Sequence, residues 1–118
     1  MGPEIHEQTI EAPVPDVWGF MVDPGALSAW FGADAWLEPV VGAHVRFRFA
    51  EGIERRGEVE TVEPGRRLTW RWRELHGAGL TGLIVGALSR VSIELEPTDG
   101  GTLVRIRETP VAAEGTLA

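Results

Sequence analysis

The feature that most constrains the fold is an alternation between a core-facing and a polar set of side chains along five short segments. The core-facing set is Val45, Phe47 and Phe49; Val59 and Thr61; Leu68, Trp70 and Trp72; Val91, Ile93 and Leu95; and Thr102, Val104 and Ile106. A period of two is typical of antiparallel strands with one face on a core and the other in water. Asp99-Gly100-Gly101 gives the clearest hairpin signal between two of these segments. The sequence therefore predicts a meander of antiparallel strands.

The first third of the chain has a different pattern. Residues 4–11 have moderate strand character and are followed by Ala12-Pro13. Apolar residues then recur at helical spacing in residues 14–22, and a second helix is predicted to begin after Asp23, a good N-cap followed by Pro24. Both helices are too short to be stable alone in water, so their apolar faces must pack on the rest of the protein.

The composition of the chain indicates which classes of binding partner are improbable. The 118 residues predict one domain, 1–118, and a net charge of −7 with no lysine disfavours nucleic acid and anionic membranes. Without cysteine, and with three histidines far apart in sequence, no metal site and no cofactor are expected. The N-terminus lacks the features of a signal peptide, so a cytoplasmic location is expected.

The polar faces of the predicted strands carry arginine and glutamate. Arg67, Arg71 and Arg73 are placed to pair across strands with Glu58, Glu60, Glu94 or Glu96, the four acidic candidates. A solvated ladder of weak ion pairs is the favoured interpretation, and an anion-binding arginine patch is the alternative.

Residues 75–89, LHGAGLTGLIVGALS, carry no charge and contain four glycines. The run is too short for a membrane-spanning helix, which needs roughly 20 apolar residues. One interpretation is a lid or subunit contact formed by Leu80, Leu83, Ile84 and Val85; the other is that residues 83–88 extend a buried strand. The glycines favour a bending segment.

Residues 10–31, IEAPVPDVWGFMVDPGALSAWF, carry a family resemblance. The matching positions are Ile10, Ala12, Pro13, Val17, Trp18, Asp23, Pro24, Leu27, Trp30 and Phe31. This stretch resembles the opening of the SRPBCC superfamily, and within it the branch named for the activator of the heat-shock chaperone ATPase. Residues 57–72 and 89–109 are similar to the middle and last strands of that branch.

The resemblance implies an α+β helix-grip fold, in which a curved antiparallel sheet of six to seven strands carries two short helices after its first strand. Members of the superfamily hold apolar small molecules between the sheet and a long C-terminal helix. Here only VAAEGTLA follows Thr109-Pro110, so that helix is expected to be missing or truncated. The exposed aromatic face would then need a cover: the 75–89 run, a second copy of the chain, a ligand, or further residues.

Three functions follow as hypotheses. The first is the binding of an apolar small molecule, with His6 or Gln8 orienting its polar end; the wall residues are Phe47, Phe49, Trp70, Trp72, Val91 and Ile93. The second is a protein-interaction module of the chaperone-activator type, including a homodimer that covers the concave face. The third is a polyketide cyclase or dehydratase, which needs an acid or base inside the cavity. No catalytic residue is assigned.

The strand register makes a prediction about stability. Trp72→Ala should lower the free energy of unfolding by roughly 3–5 kcal/mol because its ring is predicted to be buried. Arg73→Ala, on the opposite face, should change it by less than about 0.5 kcal/mol. Denaturant unfolding of both variants measures the difference, and equal losses would mean that the register is wrong.

Overall fold

The computed structural model describes residues 4–77 and 83–111. In this part of the chain, seven strands form one antiparallel sheet in the order β1-β7-β6-β5-β4-β3-β2, curled into a half-barrel. The elements are β1 (Glu4–Ile10), α1 (Val14–Met21), α2 (Pro24–Phe31), β2 (Asp34–Leu37), β3 (His44–Arg48), β4 (Ile53–Glu63), β5 (Arg67–Gly77), β6 (Leu83–Thr98) and β7 (Gly101–Pro110). The predicted α+β class and strand meander are confirmed.

Helix α2 lies in the hollow of the sheet. Its first turn is capped by Asp23, whose Oδ2 accepts a hydrogen bond from the Ala26 amide at 2.9 Å. It ends at Gly32, which adopts a left-handed conformation with φ of 68° that favours glycine. Leu27 is buried on the inner face of the helix, and Phe31 at its last turn contacts the aromatic side chains of the sheet.

The wall of the hollow is aromatic. Phe47 and Trp70 are 0% exposed and Trp72 is 2% exposed. Phe31 packs against all three, with ring centroids 5.1 Å from Phe47 and 6.2 Å from each tryptophan. Trp72 is therefore buried while Arg73 is exposed, which confirms the predicted register.

The cover of this face differs from the candidates that the sequence suggested. Helix α2 supplies the contacts described for Phe47, Trp70 and Trp72, and it was not among the expected covers. The amphipathic pattern of residues 24–31 predicted a helix there but not where that helix docks. Its docking depends on the turn at Gly32 and on packing against distant strands.

The apolar run lies partly in β6. The backbone of residues 83–85 pairs with residues 75–77 of β5, and a bulge at residues 86–87 stands opposite Glu74. The prediction that residues 83–88 extend a strand is therefore confirmed for their backbone. Leu80 lies outside the described residues, as do the side chains of Leu83, Ile84 and Val85, so their role as lid or interface stays a prediction.

The end of the chain bears on the expected helix. Strand β7 ends at Pro110, and the structure describes only one residue after it, Val111, which is not helical. Residues 112–118, on which the expectation of a missing or truncated helix also falls, lie outside that part.

The convex face carries the predicted ladder of charges. Arg71 contacts Glu60 at 2.9 Å, and Arg67 contacts Glu94 at 3.8 Å. Arg105 lies 2.6 Å from Glu7 on the neighbouring strand, and this carboxylate raises the pKa of the Arg105 guanidinium. Because the side chains in these pairs are substantially exposed, water and salt weaken the attraction between them.

Replacing either of two glycines by alanine should change the free energy of unfolding, in opposite directions. A Cβ at Gly57 would overlap the backbone carbonyl oxygen of Arg71, so Gly57→Ala should cost about 3 kcal/mol or more by forcing β4 and β5 apart. A Cβ at Gly19 in helix α1 meets no atom within 4 Å, so Gly19→Ala should stabilise by roughly 0.5–1 kcal/mol. Thermal and denaturant unfolding check both; a tolerated Gly57→Ala would contradict the described pairing.

Candidate functional site

A polar cluster lies on the inner face of the sheet beside the buried aromatic wall. Its central group is the carboxylate of Glu108 on β7. The Oε2 atom of Glu108 accepts three hydrogen bonds: from Nη1 of Arg55 at 3.1 Å, from Nε1 of Trp72 at 3.0 Å, and from Oγ of Ser89 at 3.0 Å. These donors come from β4, β5 and β6, so four adjacent strands fix the position of one oxygen.

Arg55 links two carboxylates. Besides Glu108, its Nη2 and Nε atoms donate to Oε1 of Glu74 at 3.0 and 3.3 Å. Its guanidinium also lies over two aromatic rings, 4.9 Å from the centroid of Trp72 and 5.7 Å from that of Phe49. Planar guanidinium groups suit such combined carboxylate and ring contacts. The side chain of Arg55 is therefore held on several sides.

The cluster follows from the same alternation that forms the core. Glu74 is two residues beyond Trp72, Glu108 is two residues beyond Ile106, and Ser89 is two residues before Val91. Arg55 pairs directly with Glu74 in the β4–β5 ladder. Side chains two apart, or directly opposite on neighbouring strands, share a face of the sheet.

A cleft of about 550 Å³ opens next to this cluster. Its lining residues are Ile5, His6, Trp30, Phe31, Val91, Ile106 and Glu108. A smaller pocket of about 240 Å³ shares Glu108 with it and is also lined by Arg55, Trp72, Glu74 and Ser89. Glu108 therefore lies between the polar cluster that holds its carboxylate and a cleft whose other lining residues, apart from His6, are apolar.

His6 lies across the cleft from helix α2. Its ring meets Trp30 edge-on, with the centroids 6.3 Å apart. In the β1–β7 ladder His6 is opposite Ile106, so it shares a face with Glu108 as a diagonal neighbour, where Cβ separations are about 7–8 Å. A histidine and a carboxylate thus border the same space. His6 is exposed and Glu108 is half-buried, so both groups lie at the edge of the hollow and not inside it.

The structure does not bring all of the predicted site residues together. His6 and Val91 line the cleft, and Trp72 lines the smaller pocket. Phe47, Trp70 and Ile93 are fully buried in the core. Phe49 is half-buried beneath Arg55, and Gln8 is exposed opposite Val104 on the edge strand. The structure brings the first group together around Glu108, and binding by any of these residues stays a prediction.

The sequence analysis did not identify Glu108, Arg55, Glu74 or Ser89. A signal was available, because all four continue the inward parity of strands whose core residues had been assigned. Charged residues near the ends of strands are usually solvated, which is why the alternation was not extended to them.

A larger groove of about 660 Å³ runs elsewhere on the surface. Its charged lining residues are Glu63, Glu94, Glu96, Arg66, Arg67 and Arg105. Several of these pair with one another, as Arg67 does with both Glu63 and Glu94. The charged groups of this groove therefore neutralise one another in part, and Val14, Leu95, Pro97 and Leu103 also line it.

Two classes of feature are not seen within the described residues. Residues 4–77 and 83–111 contain no group of three or more His, Asp or Glu side chains placed to hold a metal ion. No helix in the same ranges has the length and apolar character needed to cross a membrane.

The chain is similar to proteins of one family and to several solved structures. Residues 11–118 match the family described as Activator of Hsp90 ATPase homolog 1-like protein. A crystal structure of a protein from Mesorhizobium loti is similar over 97% of this chain and 80% of its own, with 23% identity and a TM-score of 0.76. No curated protein sequence matches.

Two further solved structures are similar. DynU16, a protein of the dynemicin biosynthetic locus, shares 26% identity over 98% of this chain with a TM-score of 0.75, and the match spans only 40% of DynU16. The Aha1 dimer from Colwellia psychrerythraea shares 22% identity over 94% of this chain and 78% of its own, with a TM-score of 0.68.

Proposed function

The chain belongs to the Activator of Hsp90 ATPase homolog 1-like family, and from this premise we propose that it binds an apolar small molecule in the cleft between helix α2 and strands β1, β6 and β7. The membership confirms the resemblance found in residues 10–31. The cleft itself carries the proposal: about 550 Å³ lined mainly by apolar and aromatic side chains, with His6 and Glu108 as its titratable groups.

The size and chemistry of the cleft support a small ligand. Ligand pockets commonly measure about 300–1,000 Å³ and combine an apolar lining with a few polar groups that set orientation. Trp30, Phe31 and Ile106 line the cleft as partly buried side chains, whereas Val91 is 1% exposed and offers little surface to a ligand. DynU16, at 26% identity, belongs to a biosynthetic locus, and this favours a product or intermediate of small-molecule metabolism as the ligand.

The burial of the aromatic wall limits where the ligand binds. Phe47, Trp70 and Ile93 are 0% exposed, so a ligand contacting them would have to displace helix α2. The cleft reaches the hollow beside Phe31 without that displacement. Binding is therefore proposed at the edge of the hollow and not across its whole floor.

Filling the cleft tests the proposal. N-phenyl-1-naphthylamine, whose fluorescence rises in apolar surroundings, is titrated into the protein. Ile106→Phe adds volume to the lining of the cleft and should weaken binding by about 10-fold or more, equivalent to roughly 1.4 kcal/mol. Thr98→Phe adds volume at an exposed position of the β6–β7 turn, outside both the cleft and the β2 edge, and should leave the affinity unchanged.

Two results would contradict the proposal. One is a folded wild-type protein that binds neither this probe nor other naphthalenes. The other is an Ile106→Phe variant with the affinity of the wild type, since the probe would then be bound elsewhere.

Self-association is a second candidate, favoured by exposed apolar side chains at one edge of the sheet. Trp36 on β2 and Val40 and Val41 after it are 57%, 59% and 63% exposed. Strand β2 pairs only with β3 within the described sheet, so one of its edges is open to a further strand. The solved relative from Colwellia psychrerythraea is a dimer. These observations support a second copy of this chain as the occupant of the β2 edge.

Sedimentation velocity tests this candidate. Wild-type protein should shift from monomer to dimer as its concentration rises, and Trp36→Lys should move the dissociation constant upward by about 10-fold or more. Phe20→Lys alters an exposed aromatic side chain on α1, away from this edge, and serves as the control. A wild type that stays monomeric at every concentration would rule the candidate out.

A further inference from the structure

We propose that the ligand of the cleft carries a hydrogen-bond donor, a hydroxyl or a protonated amine, that binds Oε1 of Glu108, and that Arg55, Trp72 and Ser89 position this carboxylate for it. The inference rests on the proposed function and deepens it by naming the chemical class of the ligand. It depends on how the hydrogen bonds of Glu108 are divided between its two oxygens.

Within the described part of the chain, the hydrogen bonds of Glu108 are made by only one of its two carboxylate oxygens. Oε2 accepts all three hydrogen bonds, from Arg55, Trp72 and Ser89. Among the residues that the structure describes, no donor reaches Oε1. An ionised carboxylate is an acceptor at both oxygens and has about four lone-pair sites. One oxygen is therefore saturated by the protein, and the other has its acceptor capacity left for water or a ligand.

The three donors also fix the orientation of the carboxylate. They come from three strands and lie on the side of the smaller pocket, where Trp72, Ser89 and Arg55 are lining residues. Rotation about the side chain would break all three hydrogen bonds. Glu108 is 29% exposed, and it lines the larger cleft as well. The geometry thus presents a preset acceptor at the wall of an otherwise mostly apolar space.

A hydrogen-bond acceptor held in a fixed position favours ligands that replace the hydrogen bond it makes to water. A ligand without a donor would strip water from Oε1 and leave this oxygen unpaired, which costs free energy. A ligand with a carboxylate would add repulsion between like charges. A hydroxyl or ammonium group would replace the lost water with a charge-assisted hydrogen bond. His6, the diagonal neighbour, is close enough to contact the same group from the other strand.

Naphthalenes that differ in one substituent test this selection on the wild-type protein. The probes are 2-naphthol, with a donor; 2-methoxynaphthalene, without one; and 2-naphthoate, an anion. Each competes with N-phenyl-1-naphthylamine near neutral pH. We expect 2-naphthol to bind about 10-fold or more tightly than 2-methoxynaphthalene, and 2-naphthoate to bind most weakly.

Glu108→Gln should abolish the preference for 2-naphthol over 2-methoxynaphthalene and strengthen the binding of 2-naphthoate. The amide oxygen of glutamine can keep the three donors that Oε2 now accepts, which places the amide NH₂ where Oε1 was. The cleft would then present a donor, so the preference for 2-naphthol should disappear and binding of 2-naphthoate should strengthen by about 10-fold or more. Glu58→Gln makes the same change on an exposed, outward-facing residue of β4 and should leave all ratios unaltered.

Ser89→Ala tests the positioning role. It removes one donor to Oε2 while leaving Oε1 and the charge in place, so the ratio between 2-naphthol and 2-methoxynaphthalene should fall without vanishing. A purely structural role for Ser89 would lower the melting temperature and leave this ratio unchanged. Circular dichroism checks the fold of each variant; if Glu108→Gln does not fold, the probe ratios of the wild type still decide.

The outcomes separate this inference from the proposed function. If none of the naphthalenes binds the folded wild type, the proposed function fails. If 2-naphthol and 2-methoxynaphthalene bind with equal affinity, or if Glu108→Gln keeps the wild-type ratio, binding in the cleft stands and the inference about Glu108 is overturned.

Discussion

The packing of Phe31 against three aromatic side chains of the sheet is the contact on which the rest of the structure depends. A half-barrel that exposed Phe47, Trp70 and Trp72 to water would lose much of its stability, since each ring buries about 150–250 Å². Phe31 contacts all three from the last turn of α2. Helix α2 thus closes the centre of the hollow and restricts the accessible space to the cleft beside it.

The polar cluster depends on that aromatic wall. Arg55 lies over the ring of Trp72, and the indole Nε1 of Trp72 donates to the same Glu108 oxygen that Arg55 contacts. Gly57 stands opposite Trp72, and the absence of a side chain there lets β4 and β5 approach closely. One tryptophan therefore serves both the core, through its buried ring, and the candidate site, through its N–H group.

The sequence predicted the strands and most of their core faces because alternation is a local property that burial on one face enforces. The prediction that Thr61 faces the core is wrong, because the bulge between Val59 and Thr61 places Val62 opposite Leu68 and against the core. The sequence also contained most of the polar cluster, since Glu74 and Glu108 continue the parity of Trp72 and Ile106. Arg55 has the same parity as Val59, because the bulge lies beyond Val59 and leaves the alternation of residues 55, 57 and 59 intact.

The remaining features depend on long-range pairing. The proximity of His6 to Glu108 requires that β1 pair with β7, at the opposite end of the sequence. No local pattern indicates that pairing. The docking of α2 over the aromatic wall likewise requires contacts between residues that lie far apart in the chain.

The core and the proposed binding site therefore use different parts of the same sheet. Helix α2 and the sheet remove the centre of the hollow from solvent, so the fold does not need a ligand to cover its aromatic wall. The cleft is then free to vary in its few polar groups without loss of the core. In this chain the carboxylate of Glu108 is held by donors that belong to the stable part of the sheet, so the group that would discriminate between ligands is as rigid as the core beside it.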